Sequence, residues 1–498
     1  MKKTAFTAIA ALAAAAALAG ALFFAGCEST LELPTTTTSS TSTTSTTSSS
    51  TSTSSSSTLT STTTSTTSTT YGGTTQGDYY VSTTGLDTNS GTSIGAPFRT
   101  ITKALSVVQA GETVLIRGGE YNESPNFNVS GTNGNWITFE VYGTETATID
   151  GTSVGTWGPG IASGVQYLHL KGLHITDFGQ NGLTCWGTNQ YLKFTELMIY
   201  NCGSMGASGF ALTEAGGSGL VTDVELNGCT IRNNFIGMKA MDNTIRRLVI
   251  RDTTFAYNTG DPASDGIGFE GDNNYITLEG CVSEYNAGDG FDFKGDYITI
   301  RRSISRHNER DGIKLWGTNS ILENCLSHHN GLLGVVVDHD ASVEAYNNTV
   351  AYNATAGTNY AMFVAYISDP GGPSSIVLRN NIFVHTDGTI LHLGSIETIV
   401  EDHNLYYTAA SGSNAIDAAY LGQAFTEGQI TNGTWTAQSG QGSGSKAGNP
   451  LFVNTSNDFH LQSGSPARDT GSSASAPVVD LEGTTRPINV IDMGCYEQ

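Results

Sequence analysis

Three regularities along the chain predict an all-β fold, a right-handed parallel β-helix. A glycine recurs at short intervals, an apolar–variable–apolar triplet follows each glycine, and an asparagine precedes most of them by four residues. The clearest copies are NAGDGFDFKG (286 to 295), NERDGIKLWG (308 to 317) and NGLLGVVVD (330 to 338). Gly290, Gly312 and Gly334 are spaced by 22 residues, and Gly266, Gly237, Gly209 and Gly182 precede them at intervals of 24, 29, 28 and 27. The longer intervals leave room for insertions in turns. A unit of about 22 residues with short β-segments and glycine turns is the mark of a solenoid. A leucine-rich repeat has a similar period but needs a leucine consensus with helical arcs, which is missing here.

The triplet gives the register. Its first apolar column is Ile267, Phe291, Ile313 and Val335, and its second is Phe269, Phe293, Leu315 and Val337. Alternation of period two buries both columns and turns the intervening residues outward. The asparagines read as Asn233, Asn286, Asn308 and Asn330, with Asn201 and Asn258 displaced by four extra residues. Their amides are expected to hydrogen-bond along the stack. Cys229, Cys281 and Cys325 fall in one column with Thr253 and Ser303, five residues before a rung asparagine. With rungs about 4.8 Å apart, such cysteines stand roughly 10 Å from one another, too far to bridge. Cys185, Cys202 and Cys495 have no assignment, and no Cys/His spacing suggests zinc.

The ends follow. Lys2 and Lys3 precede an apolar run from Ala5 to Phe24 that closes on Ala25-Gly26-Cys27. This is similar to a bacterial lipoprotein signal over residues 1–26, and implies a mature chain anchored to the membrane through lipid on Cys27. Glu28 in place of Asp leaves out the usual inner-membrane retention signal, so surface display is the expected location. Residues 27–75 are almost all Ser and Thr and are expected to form a disordered tether. The solenoid is expected over 76–410, entered by a strand near Tyr79, a capping helix around Ile101 to Val108 and a first coil strand at Glu112 to Arg117. Residues 411–498 are expected to form an associated C-terminal module. The protein is expected to be a monomer.

The formal charge is −23, from 45 acidic and 22 basic residues. That argues against nucleic acid, which needs clustered Lys and Arg. A polyanionic substrate remains open where a divalent cation or a local basic stripe meets it.

The outward residues between the two apolar columns run Lys239, Gly268, Asp292, Lys314 and Val336, and the turn position before each glycine carries Asp265, Asp289 and Asp311. Several Asp oxygens can hold calcium, and Lys can act as a base, a combination that suits β-elimination on a uronic acid. Asp-Gly is also a favoured turn pair, and Asp292 with Lys314 reads equally as an ion pair on adjacent strands. SDGIGF (264 to 269), GDGFDF (288 to 293) and DGIKL (311 to 315) resemble the motifs of polysaccharide lyase family 9, the calcium-dependent pectate lyases. The resemblance implies Asp265, Asp289 and Asp292 as calcium ligands and Lys314 as catalytic base, with an acidic polysaccharide as substrate. Two features depart from the family pattern. Gly288 stands where the family has an Asp, with Asp261, Glu270 or Glu309 as substitutes, and Lys314 follows Asp292 by a single coil. Lys239, Arg310 and Trp316 are expected to hold sugar rings or carboxylates. His328, His329 and the Asp338-His339-Asp340 run look like metal ligands but lie one coil further on. A glycoside hydrolase using Asp289 and Asp311, a uronate epimerase and a non-catalytic glycan-binding surface protein are the alternatives.

Overall fold

The computed structural model describes residues 74–498, apart from 205, 213–218, 242–244, 356–362, 366–374, 395, 397 and 411. The expected signal, Cys27 and nearly all of the Ser/Thr tether lie outside the described residues. From Tyr79 onward the chain winds as a parallel β-helix with three sheets of 13 strands each. We number the sheets in the order a coil visits them. Sheet I runs from Tyr79–Val81 to Thr398–Asp402, sheet II from Gly119–Tyr121 to Lys446–Ala447, and sheet III from Asn126–Phe127 to Gln423–Thr426. Strands pair in parallel with the same sheet of the next coil, except where Gln423–Thr426 returns antiparallel to Asn414–Ala418.

The apolar columns behave as their alternation demands. Ile267, Phe291, Ile313 and Val335 pair in register, as do Phe269, Phe293, Leu315 and Val337, and all are fully buried. Phe269 and Phe293 meet edge to face with centroids 5.4 Å apart, the geometry their ring quadrupoles favour. At the open end, the helix Ile101–Leu105 buries Ile101, Ala104 and Leu105 and is capped by the Thr100 hydroxyl, which accepts from the Lys103 N–H at 3.0 Å. It is shorter than expected, ending at the C-cap Ser106 two residues before Val108.

One turn governs the coil. Between sheets II and III, a buried asparagine in each of six successive coils binds the next. The Asn308 N–H donates to Asn330 Oδ1 at 3.1 Å, and its Nδ2 donates to the same oxygen at 2.9 Å and to the Ser305 hydroxyl at 3.1 Å. Ser305 in turn donates to the Gly312 carbonyl at 2.7 Å. A Cβ at Gly290 would overlap the Ser305 hydroxyl, and one at Gly312 would overlap that of Ser327, which explains the glycine repeat. The ladder runs through Asn234, Asn258, Asn286, Asn308, Asn330 and Asn353. Asn233 and Asn201 are therefore not rungs. Each takes the preceding left-handed position (φ 56° and 54°) and is exposed. Asn234 is the rung, and Cys202 takes the rung place one coil earlier, its N–H donating to Asn234 Oδ1 at 2.9 Å. The distance from rung to glycine varies, three residues at Asn234, four at Asn308 and eight at Asn258, so the rung is found by counting forward from sheet II.

The cysteine column sits between sheets I and II. The N–H groups of Cys229 and Cys281 donate to the hydroxyls of Thr253 and Ser303, and that of Cys325 donates to Asn348 Oδ1. The six described cysteines are free and buried, and burial pushes the Cys229 and Cys281 thiols up to about 12. Beyond residue 410 the strand Asn414–Ala418 still pairs within sheet III. The chain then folds back, so that Phe452, Phe459, Leu461 and Met493 cover the outward residues Leu326, Ala351, Ile382 and Leu405 of sheet II.

Asn308→Ala removes both ladder oxygen and amide at a buried position. It should cost about 2–4 kcal/mol, read as a lower denaturation midpoint. Unchanged stability would mean that the ladder is not what holds the coils in register.

Candidate active site

Sheet III turns a row of side chains outward in which Lys239, Gly268, Asp292 and Lys314 are successive register partners. The turn aspartates stack beside this row through backbone bonds. Asp265 Oδ1 accepts from the Asp289 N–H at 2.7 Å, Asp289 Oδ1 from the Asp311 N–H at 2.9 Å, and Asp311 Oδ1 from the Leu333 N–H at 2.9 Å. Each carboxylate thus spends one oxygen on the turn and keeps the other for the cleft. A Cβ at Gly268 would lie 2.6 Å from Asp265 Oδ2, so the bare strand there makes room for that oxygen.

The outward direction is as expected, but the depth is not. Asp292 is 3% exposed, Asp289 and Asp311 are buried, and the Lys314 side chain is only 11% exposed. Asp265, Asp289, Asp292 and Lys314 form the floor of a cleft of about 330 Å3 walled by Ile236, Lys239, Met241, Glu270 and Arg310. Lys314 Nζ lies 2.9 Å from Asp289 Oδ2 and 3.4 Å from Asp292 Oδ2. Lys294 bridges Asp292 at 3.3 Å and Glu270 at 2.5 Å.

Carboxylate oxygens of Asp265, Asp289 and Asp292 all lie within 4.8 Å of one another, and Asp292 Oδ1 is buried without a hydrogen-bond partner. Burial, reinforced by Asp289 and Asp292, lifts the Asp265 carboxyl to about 8, and burial with Asp289 lifts Asp311 to about 6. Burial also raises Asp292 despite Lys314 and Lys294. A hard cation taking oxygen ligands at about 2.3–2.6 Å fits this donor set and would relieve the repulsion. Of the substitutes for the missing Asp at 288, only Glu270 lines the cleft. A Cβ at Gly288 would meet the Asp265 backbone N at 2.8 Å, so a side chain there has no room. For Lys314, burial lowers the pKa, but Asp292 and Asp289 outweigh it and raise it above the ordinary value. That is opposite to the lowered pKa that suits a general base, because both carboxylates contact the ammonium directly.

Arg310 Nε is 3.5 Å from Asp289 Oδ1 and half-exposed on the cleft wall. Lys239 lines the cleft and donates to the Gly206 carbonyl. Trp316 does not line it. Its ring stacks on His339 at 4.3 Å and has the ammonium groups of Lys314 and Lys294 over it at 5.0 and 5.1 Å, so it supports the lysines. His328 and His329 lie elsewhere, their Nδ1 atoms 2.8 Å apart, in a column that also stacks His307 and packs on Phe459. Burial takes His328 down to about 2. The apolar wall of Ile236 and Met241 was not read from the sequence, since both lie outside the repeated triplet.

The Pel9A-like, right-handed β-helix region family matches residues 79–366. The chain belongs to this family. Among solved structures it is similar to a pectate lyase, Pel9A, at 17% identity and a TM-score of 0.54, covering 86% of this chain and 98% of that one. It is also similar to XylC, solved in complex with xylose, at 10% identity and a TM-score of 0.51, covering 84% and 98%. A segment of 79 residues is 48% identical to the uncharacterized protein YwoF of Bacillus subtilis (strain 168), which is 16% of this chain and 17% of that protein.

The raised Asp265 carboxyl sets a pH dependence. An unfolded Asp loses its proton near about 3.9, the folded one only near 8. The folded chain therefore binds more protons in between. The stability this contributes is full below about 3.9 and is lost as the pH climbs through 8. In chelator, the melting temperature of the wild type should fall across this window and that of Asp265→Asn should fall less, while calcium should raise the wild type most at the alkaline end. A wild-type-to-variant difference that is constant with pH would sink this account.

Proposed function

We propose that this protein is a polysaccharide lyase that cleaves uronic-acid polymers, polygalacturonate foremost, by β-elimination. The observation that carries the reading is the gathering of three carboxylates in one cleft, with the Lys314 ammonium against the two buried ones, Asp289 and Asp292. A cleft floored by acids and walled by Lys239 and Arg310 suits an anionic sugar only if a cation joins the floor. Bound calcium, held by Asp265, Asp289 and Asp292, would neutralise the uronate carboxylate and acidify the neighbouring C5 proton.

Lys314 then has the position of the base. It takes the C5 proton onto Nζ, the C–H electron pair forms a C4=C5 double bond, and the C4–O bond to the next sugar breaks with its pair on the leaving oxygen, which takes a proton from solvent. The two carboxylates that hold Lys314 protonated are the same ones that would ligate the cation, so ligand occupancy and release of the Lys314 proton are linked. Arg310 and Lys239 orient the polymer's carboxylates. Trp316 keeps the Lys314 side chain in place through its ring face.

Lys314→Ala should lower turnover of polygalacturonate by roughly a hundredfold to ten-thousandfold while calcium binding, followed by calorimetry, persists. Asp292→Asn should weaken calcium binding and regain part of the rate in excess calcium. The readout is the ultraviolet absorbance of the unsaturated uronide. Wild-type protein that shortens the polymer without that absorbance is a hydrolase, and Lys314→Ala that keeps most of its rate leaves Lys314 as an ion-pair partner only.

We also propose that the chain is exported and anchored through lipid on Cys27, with residues 27–75 as spacer. Mass spectrometry of the membrane fraction should find an acylated N-terminal Cys27. A mature chain starting elsewhere and free of lipid would overturn this.

A further inference from the structure

The outward face of sheet III carries a second recess, several coils before the acidic cleft. It lies beside Asn126–Phe127, Gly160–Ile161 and Leu183–Cys185, measures about 410 Å3, and is bounded by Trp157, Trp186, Ser124, Asn126 and Ser163. Register ties it to the proposed active site. Gly160 pairs with Thr184, and the row continues through Ala211, Lys239 and Gly268 to Asp292. Five steps of about 4.8 Å place the two sites roughly 24 Å apart along one face.

The recess has a different chemistry from the cleft. Its indoles are tilted by 56° with centroids 5.5 Å apart, and Trp157 is 44% exposed. Tryptophan is enriched at interfaces, where its ring gives a large apolar contact and its N–H finds a hydrogen-bond partner. Gly160 lets Trp186 lie against the strand, since a Cβ there would come 2.8 Å from the indole Nε1. Ser124 Oγ donates to the Trp157 carbonyl at 2.9 Å and ties the Trp157 loop down. The lining holds hydroxyl and amide groups but no charged side chain.

We infer that this recess is a second sugar site, and that it takes a neutral pyranose. The negative face of an indole attracts the C–H face of a sugar ring, and the hydroxyls and amide offer partners for its hydroxyl groups. A uronate would find no cation in the wall, on a chain of formal charge −23, and would be repelled. The occupant is an uncharged sugar of the same polymer or of its branches. The inference rests on the reading that the protein acts on polysaccharides, but not on the elimination chemistry.

The test is native-gel affinity electrophoresis of the full chain in gels that contain galactan, xylan or polygalacturonate. At least one neutral polymer should retard the wild type, and Trp157→Ala should weaken that retardation about tenfold. Trp157→Ala should melt like the wild type, because the ring is half-exposed, and should cleave soluble polygalacturonate at an unchanged rate. The double variant Trp157→Ala/Trp186→Ala should lose the retardation entirely. The inference is overturned if no neutral polymer retards the wild type, if the variants are retarded equally, or if only polygalacturonate binding depends on the tryptophans. Wild-type protein that makes no ultraviolet-absorbing product would end the lyase reading instead, and would leave the retardation by neutral polymers to be judged separately.

Discussion

The asparagine ladder between sheets II and III is the constraint on which the rest of the molecule depends. Each rung hands a buried N–H and an amide to the oxygen of the next, so the six coils from Asn234 to Asn353 are held to their neighbours at the same point. A coil that slipped by one residue would leave those groups unsatisfied in the interior and would also reverse every side chain of its strands. The candidate active site inherits this precision. Asp265 comes from one coil, Asp289 and Asp292 from the next, and Lys314 from the one after, and no local motif joins them. Their mutual distances are set by stacking alone, with the aspartate turn bonds as a second, parallel ladder.

The fold was legible because a solenoid repeats its physical problem every coil, and a repeated problem leaves a repeated residue pattern. The apolar columns and the glycines were read correctly because each has one steric cause. Counting back four residues from the glycine gave Asn233, while counting five forward from Cys229 gave Asn234, the true rung, because in this coil the rung lies only three residues before Gly237. Of the candidate site, the membership and direction of Asp265, Asp289, Asp292 and Lys314 could be read from period-two alternation. Their depth could not. Alternation says which way a side chain points from its sheet, not how high the walls around it rise, and here Arg310, Lys294 and Glu270 come from turns and strand ends. The same limit hid the engagement of Trp316 with His339, a neighbour one coil away.

The electrostatics of the cleft show a site built against its own stability. Three carboxylates share a space in which burial alone raises two of them, and an ammonium offsets the charge only in part. Groups held this far from their ordinary ionisation are typical of places where a ligand or a reaction supplies the missing charge. The neighbouring coils, where the outward row carries Ala211 and Val336, show that the scaffold does not require such a cluster.

The C-terminal return has a consequence for how the chain reaches its final form. Most contacts of a solenoid join a coil to the one before it, so the β-helix can grow in order from its N-terminal helix. The last segment breaks that locality. Arg486 donates to Asn324 across 162 positions of sequence, and Asn324 donates to the Val479 carbonyl across 155. Coils near Leu326 and Ile382 are therefore left with a bare apolar face until the final residues have been made and have travelled back. Loop closure of that span is slow compared with adding a coil. Completion of this protein is timed by its C-terminus, however early the coils that carry the site have formed.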